Sequence, residues 1–134
     1  MEHEAGVVRI RPDHPTETVQ RLPYFLGVCE SSSPARELSL SLVVVPPGGS
    51  SEPHYHEGFE TAIYQLEGRV ETRYGARLEH SVVTEAGDFL FIGPDVPHQV
   101  TNLSDTDRAA AVVARNDAGE RENVVLVDPA GRAS

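Results

Sequence analysis

Residues 52–68 read EPHYHEGFETAIYQLEG, with His54 and His56 two positions apart behind a proline-rich turn and ahead of a run of apolar and β-branched residues. In a strand, side chains at i and i+2 leave from one face, so both imidazoles can enter a barrel together and share one metal ion; in a helix they would diverge. Neutral imidazole is the commonest nitrogen donor to divalent first-row metals. Taken alone, the pair also fits two surface polar residues beside a turn, so its meaning depends on what the rest of the chain supplies.

The chain supplies a carboxylate, Glu60, four residues after His56, and a third histidine, His98, in a second turn-and-strand unit, GDFLFIGPDVPHQVTN (87–102). Three imidazoles and one carboxylate leave one or two coordination positions open for water, dioxygen or a substrate oxygen, which is a catalytic sphere and not a closed structural one. The strand after His56 admits two registers. Counted forward in twos from His56, Glu60, Ala62, Tyr64 and Leu66 point inward; counted back from Gly68, Thr61, Ile63 and Gln65 do. A bulge or loop through residues 57–59 decides between them.

Outward from these two units the chain is punctuated by Pro and Gly into short apolar segments. They are VVRI (7–10), LPYFLGV (22–28), LSLSLVVV (38–45), TAIYQL (61–66), RVETRY (69–74), SVVT (81–84), DFLFI (88–92), HQVTNL (98–103), AAAVVAR (109–115) and NVVLV (123–127). Many short segments between breakers such as PPGG (46–49), GPDVP (93–97) and NDAG (116–119) predict an all-β sandwich or barrel. LSLSL alternates strictly, which predicts one buried face and one wet face. AAAVVA favours helix by its alanines and strand by its length and surroundings, and no window of a dozen residues has a helical period. The 134 residues suit one domain, with an N-terminal arm of one or two strands and a fraying tail, PAGRAS.

With the two units in place, the sequence resembles the cupin superfamily, whose motifs are written G(X)5HXH(X)3,4E(X)6G and G(X)5PXG(X)2H(X)3N. The first is matched by Gly48, His54, His56, Glu60 and Gly68, the second by Gly87, His98 and Asn102. The wording around them is similar to that of small single-domain bacterial cupins related to the RmlC type. The resemblance covers about residues 34–128 and implies a cupin double-stranded β-helix, or jelly-roll barrel, with residues 1–33 as the arm. It further implies one divalent transition metal (Fe, Zn, Ni or Mn) held by His54, His56, Glu60 and His98, with Glu60 also able to shuttle a proton, and a homodimer. Two departures fall in the second motif, where Gly93 and Asp95 replace its Pro and Gly while Pro94 and Pro97 keep the turn rigid. A third falls in the first motif, where seven residues and not six separate Glu60 from Gly68, so that Thr61 occupies the usual ligand position. Gln65 is the alternative fourth ligand, because some cupin polyketide cyclases use a glutamine beside their histidines.

The remaining residues bound the function. Twenty-one acidic residues against eleven basic ones give a net charge of −10, which argues against nucleic acid or an anionic membrane as partner. Every basic residue is arginine, so Schiff-base and P-loop lysine chemistry is excluded. No apolar run is long enough to cross a bilayer and MEHEAGVVRI lacks signal-peptide order, so the expectation is a cytoplasmic protein. The single cysteine, Cys29, reads as a buried small apolar residue. His3, His14 and His80 read as surface residues, Tyr64, Phe89 and Phe91 as core or cavity lining, Arg69 and Arg73 as a solvated face, and Asn102 as a turn fastener. The function expected is a metal-dependent enzyme acting on a small molecule, either a dioxygenase or a Lewis-acid isomerase or cyclase; the alternative is a non-catalytic module that binds a small ligand or a metal.

Overall fold

The computed structural model describes residues 2–4, 6–12, 16–17, 22–119 and 124–128; His14 and the PAGRAS tail lie outside them, as does the side chain of His3. Each of the ten apolar segments contains a strand, forms one or lies within one. Among the described residues thirteen strands run as β1 (Glu2–Glu4), β2 (Val7–Arg9), β3 (Thr16–Glu17), β4 (Pro23–Val28), β5 (Ser39–Val45), β6 (His54–His56) and β7 (Thr61–Glu67). They continue as β8 (Arg69–Tyr74), β9 (His80–Glu85), β10 (Phe89–Ile92), β11 (His98–Asn102), β12 (Ala109–Arg115) and β13 (Val124–Leu126). No helix occurs among the described residues. AAAVVAR becomes β12, the partner of both β5 and β7, because β-branched Val112 and Val113 fit a pleated surface and a seven-residue run between polar stretches is too short for a stable helix.

The strands form a six-stranded sheet, β10-β7-β12-β5-β4-β3, a five-stranded sheet, β13-β6-β11-β8-β9, and a two-stranded ribbon, β1-β2. All pairings are antiparallel. The core draws on both larger sheets: Tyr24, Val43, Val45, Ala111 and Val113 from the first meet Val70 of the second, with Ile63 and Val100 packed against them. Two facing sheets with alternating inward residues make an all-β, double-sheet barrel.

Two backbone features set the frame. Gly68 turns the chain from β7 of one sheet to β8 of the other at φ 81°. A Cβ there would lie 2.6 Å from that of Ala109, so both the dihedral and the close approach require glycine. Asn102 fastens the end of β11: its Nδ2 donates to the carbonyls of Val45 (3.0 Å), Pro46 (3.2 Å) and Asp107 (2.8 Å), and its Oδ1 accepts from the Ser104 amide.

The LSLSL alternation is real, but its polarity is the reverse of the simple expectation. Ser39 and Ser41 are buried inside the barrel, while Leu38 and Leu40 are exposed. Tyr64, Phe89 and Phe91, expected in the core or lining a cavity, are also outside, at 37%, 80% and 64% exposure. The six-stranded sheet therefore carries an apolar outer face. Its partnered residues run in a row across four strands, Phe89 opposite Tyr64, Tyr64 opposite Val112 and Val112 opposite Leu42.

Candidate metal centre

The short strand β6 sends His54 and His56 into the barrel, and β11 brings His98 directly opposite His54. The three are 3%, 2% and 3% exposed. One ring nitrogen from each lies within 4.8 Å of the others, so the triad could hold a metal ion. Backbone carbonyls set two of the rings. His54 Nδ1 donates to Glu52 O at 2.7 Å and His98 Nδ1 to Val96 O at 2.9 Å. A carbonyl only accepts, so these rings carry their proton on Nδ1 and present the Nε2 lone pair, the arrangement that orients a metal-bound imidazole.

Burial keeps all three rings neutral. It pushes His54 down to about 3, with the Arg115 guanidinium adding to the effect and the hydrogen bond to Glu52 O acting the other way. It pushes His98 down to about 4, again with Arg115 contributing, against a hydrogen bond to Val96 that acts the other way. His56 is lowered as well, first by burial and then by the Arg115 guanidinium. Neutral imidazoles need shed no proton before binding a cation.

Glu60 does not join them. The turn at Glu57 and Gly58, the latter at φ 78°, ends β6 and resets the strand, so β7 follows the register counted back from Gly68. Thr61 and Gln65 are buried, Ile63 is half-buried, and Glu60 is exposed with its amide bonded to Asn116 Oδ1. The carboxylate expected as fourth ligand and proton carrier is thus displaced by one position, and Thr61 takes its place. Gln65 faces the cavity, but its amide is engaged elsewhere. Its Nε2 donates to Glu67 O at 2.9 Å, and its Oε1 accepts from Thr84 Oγ1 at 3.4 Å.

A residue absent from the expected set completes the site. Arg115, at the end of β12, is 6% exposed. Its Nε donates to Thr61 Oγ1 at 3.1 Å, and its Nη2 lies 3.0 Å from His56 Nε2 and 3.4 Å from the Tyr24 hydroxyl. The sequence carried a signal for it: in AAAVVAR, Arg115 shares parity with Ala111 and Val113, so an inward-facing strand places it inside.

The departures around His98 are also structural. Asp95, where the second motif has glycine, adopts the left-handed conformation at φ 62°, which aspartate tolerates better than most residues. Its amide donates to His56 O and its carboxylate accepts from the Gly58 amide, clipping the turn before β11 to the end of β6. Arg69 and Arg73 lie on the outside beside Glu85 and Glu71. His80 is exposed against Tyr74, and Cys29 is buried between the Ser31 and Ser32 hydroxyls.

Residues 41–114, more than half of the chain, match the family model described as Cupin domain. The chain belongs to the cupin family. Among solved structures, the cupin is similar to the polyketide cyclase RemF from Streptomyces resistomycificus, at 22% identity over 91% of this chain and 86% of that one, with a TM-score of 0.71. A Cupin 2 conserved barrel domain protein from Salinispora arenicola matches at 25% identity over 84% and 91%, TM-score 0.68. Oxalate decarboxylase from Lactobacillus farciminis matches at 19% identity and TM-score 0.70; 84% of this chain covers 33% of that one. The cupin likewise spans little more than half of an oxalate oxidase, 56% of its chain. No curated protein matches the sequence.

Proposed function

We propose that this cupin is a metal-dependent enzyme acting on a small molecule inside its barrel, in the cytoplasm, with His54, His56 and His98 as the metal ligands. The observation that carries the reading is the convergence of three buried, neutral imidazoles whose ring nitrogens lie within 4.8 Å of one another. A divalent iron would supply dioxygen chemistry there, whereas zinc, nickel or manganese would supply Lewis-acid polarisation of a carbonyl for isomerisation or cyclisation. Val43, Val45, Val70 and Val113 wall an apolar cavity that excludes water, and the carbonyls of Glu52 and Val96 hold His54 and His98 in one tautomer. Arg115 supplies a buried cation beside the triad, suited to charge that develops on a substrate oxygen.

Oxygen uptake separates the two chemistries. Iron-loaded protein that consumes dioxygen with small phenolics or diketones is an oxygenase; turnover of carbonyl substrates by zinc-loaded protein without oxygen uptake supports Lewis-acid chemistry. One observation favours a non-catalytic ligand-binding role as the second reading: among the described residues, no carboxylate lines the cavity to move a proton. Tight ligand binding with no turnover under either metal would support that role.

The assembly proposed is a homodimer through the outer face of the six-stranded sheet. The outward residues there, Phe25, Leu40, Leu42, Tyr64, Phe89 and Phe91 among them, include no charged side chain on β4, β5, β7, β10 or β12 between the strand ends. A chain of net charge −10 can meet a second copy across this face without opposing carboxylates. Five strands spaced by ~4.8 Å and about seven residues long give roughly 500 Å² of flat sheet. Side-chain relief brings that toward the ~800 Å² per partner of a standard interface.

A further inference from the structure

A second apolar space lies along the seam of the barrel. β9 ends the five-stranded sheet and β10, the next strand in sequence, ends the six-stranded one, so the chain crosses between the sheets there without pairing the two strands. The crossing itself is sealed, since the Gln65 amide donates to Asp88 O at 3.0 Å and the Gly87 amide to Gln65 O at 2.9 Å. Beyond it, Val82 of β9 and Leu90 and Ile92 of β10 join Val96 and the partly exposed Tyr74 in lining a groove of about 320 Å³, measured by the centres of water-sized spheres. No charged side chain lines this groove among the described residues.

Thr72 and Leu90 stand between the groove and the cavity of the histidine triad, because both side chains line each of the two spaces. Thr72 is 3% exposed, and its hydroxyl has no hydrogen-bond partner among the described residues. The polar side chains that share the inner cavity wall are engaged with one another: Thr84 Oγ1 donates to Gln65 Oε1, and Gln65 Nε2 to Glu67 O. A buried hydroxyl without a partner is unfavourable, and two apolar spaces give no reason to place one between them. Its position supplies a reason. β8 sets Tyr74 opposite His98, and Thr72 lies two residues further along on the same face, ~7 Å away by strand rise. We propose that the groove is the outer part of the ligand site and that Thr72 hydrogen-bonds a hydroxyl or carbonyl of the ligand where it passes from groove to cavity. The ligand class that follows is a small neutral molecule with an apolar body, a ring or a branched chain, seated in the groove, and a hydroxyl or carbonyl at the inner end of that body. That its inner end reaches a metal rests on the metal-centre reading above.

The test uses phenol and toluene, alike in shape and differing in the hydroxyl, titrated calorimetrically into untagged protein. The ratio of phenol affinity to toluene affinity should fall about 5-fold in Thr72→Val, the effect of one neutral hydrogen bond, and should hold in Thr72→Ser, which keeps the hydroxyl. Thr72→Ala gives the same comparison should the valine variant not fold. Val82 lines the groove and not the triad's cavity, so Val82→Trp should fill the groove, weaken both probes and leave zinc binding unchanged. A ratio unchanged by loss of the hydroxyl overturns the role of Thr72. Binding of neither probe to the wild type, or undiminished binding of both to Val82→Trp, overturns the groove as the ligand site. Zinc binding measured on the same samples separates the two readings: its absence from the wild type overturns the metal centre, while the probe affinities still decide the groove and Thr72.

Discussion

Acid should destabilise the metal-free protein steeply, and the size of the effect follows from the three buried histidines. In the unfolded chain each has an ordinary value of 6.5; in the folded protein His54 falls to about 3 and His98 to about 4, and His56 is lowered too. Below 6.5 the unfolded state therefore binds up to three protons that the folded state refuses. Stability is fully present above that value and is lost as pH falls toward the folded values. Between about pH 7.5 and about pH 5.5 each histidine costs about 1.3 kcal/mol, or ~4 kcal/mol together, a large share of the 5–15 kcal/mol typical of a domain. Urea unfolding followed by circular dichroism, with a chelator present, measures it directly. His98→Leu should remove about a third of the pH-dependent loss. A wild-type loss below about 1 kcal/mol over this range would refute the placement of three neutral imidazoles in the barrel.

Three further outcomes are expected. Asn102→Ala should cost about 2–4 kcal/mol in the same unfolding assay, because it strips the carbonyls of Val45, Pro46 and Asp107 and the Ser104 amide of their partner; a cost within about 0.5 kcal/mol would show that water replaces those bonds. Gly68→Ala should cost about 2 kcal/mol or more, since its Cβ would meet Ala109 at a left-handed φ, and an unchanged midpoint would contradict the close approach of β7 and β12. Phe89→Glu combined with Phe91→Glu should turn a dimer into a monomer in sedimentation at micromolar concentration while zinc binding persists; a wild type that already sediments as a monomer would contradict the dimer.

The barrel was legible because its signals are local. Pro and Gly breakers separate the strands, and the histidines at i and i+2 need only one short strand to share a face. Glu60 was misplaced because a register is set by the loop before the strand, and the turn at Glu57 and Gly58 shifts everything after it by one. The spacing to Gly68 held the right answer, but the sequence alone gave no reason to count from that end. Arg115 is hidden in the sequence for a different reason: an arginine inside a barrel is costly unless something there needs it, so charge alone argues for the surface. The reversed polarity of LSLSL has the same origin. Alternation fixes which residues share a face, but which face is inside depends on what the sheet packs against, and here the leucines lie on the outer face proposed for a second copy.

The metal content of untagged protein tests the central claim most directly, with the wild type, Glu60→Ala and His56→Ala purified side by side. The account predicts about one divalent ion per chain in the wild type and in Glu60→Ala, and close to none in His56→Ala. Loss of metal in Glu60→Ala as complete as in His56→Ala, or equally little metal in all three, would contradict a centre built from His54, His56 and His98.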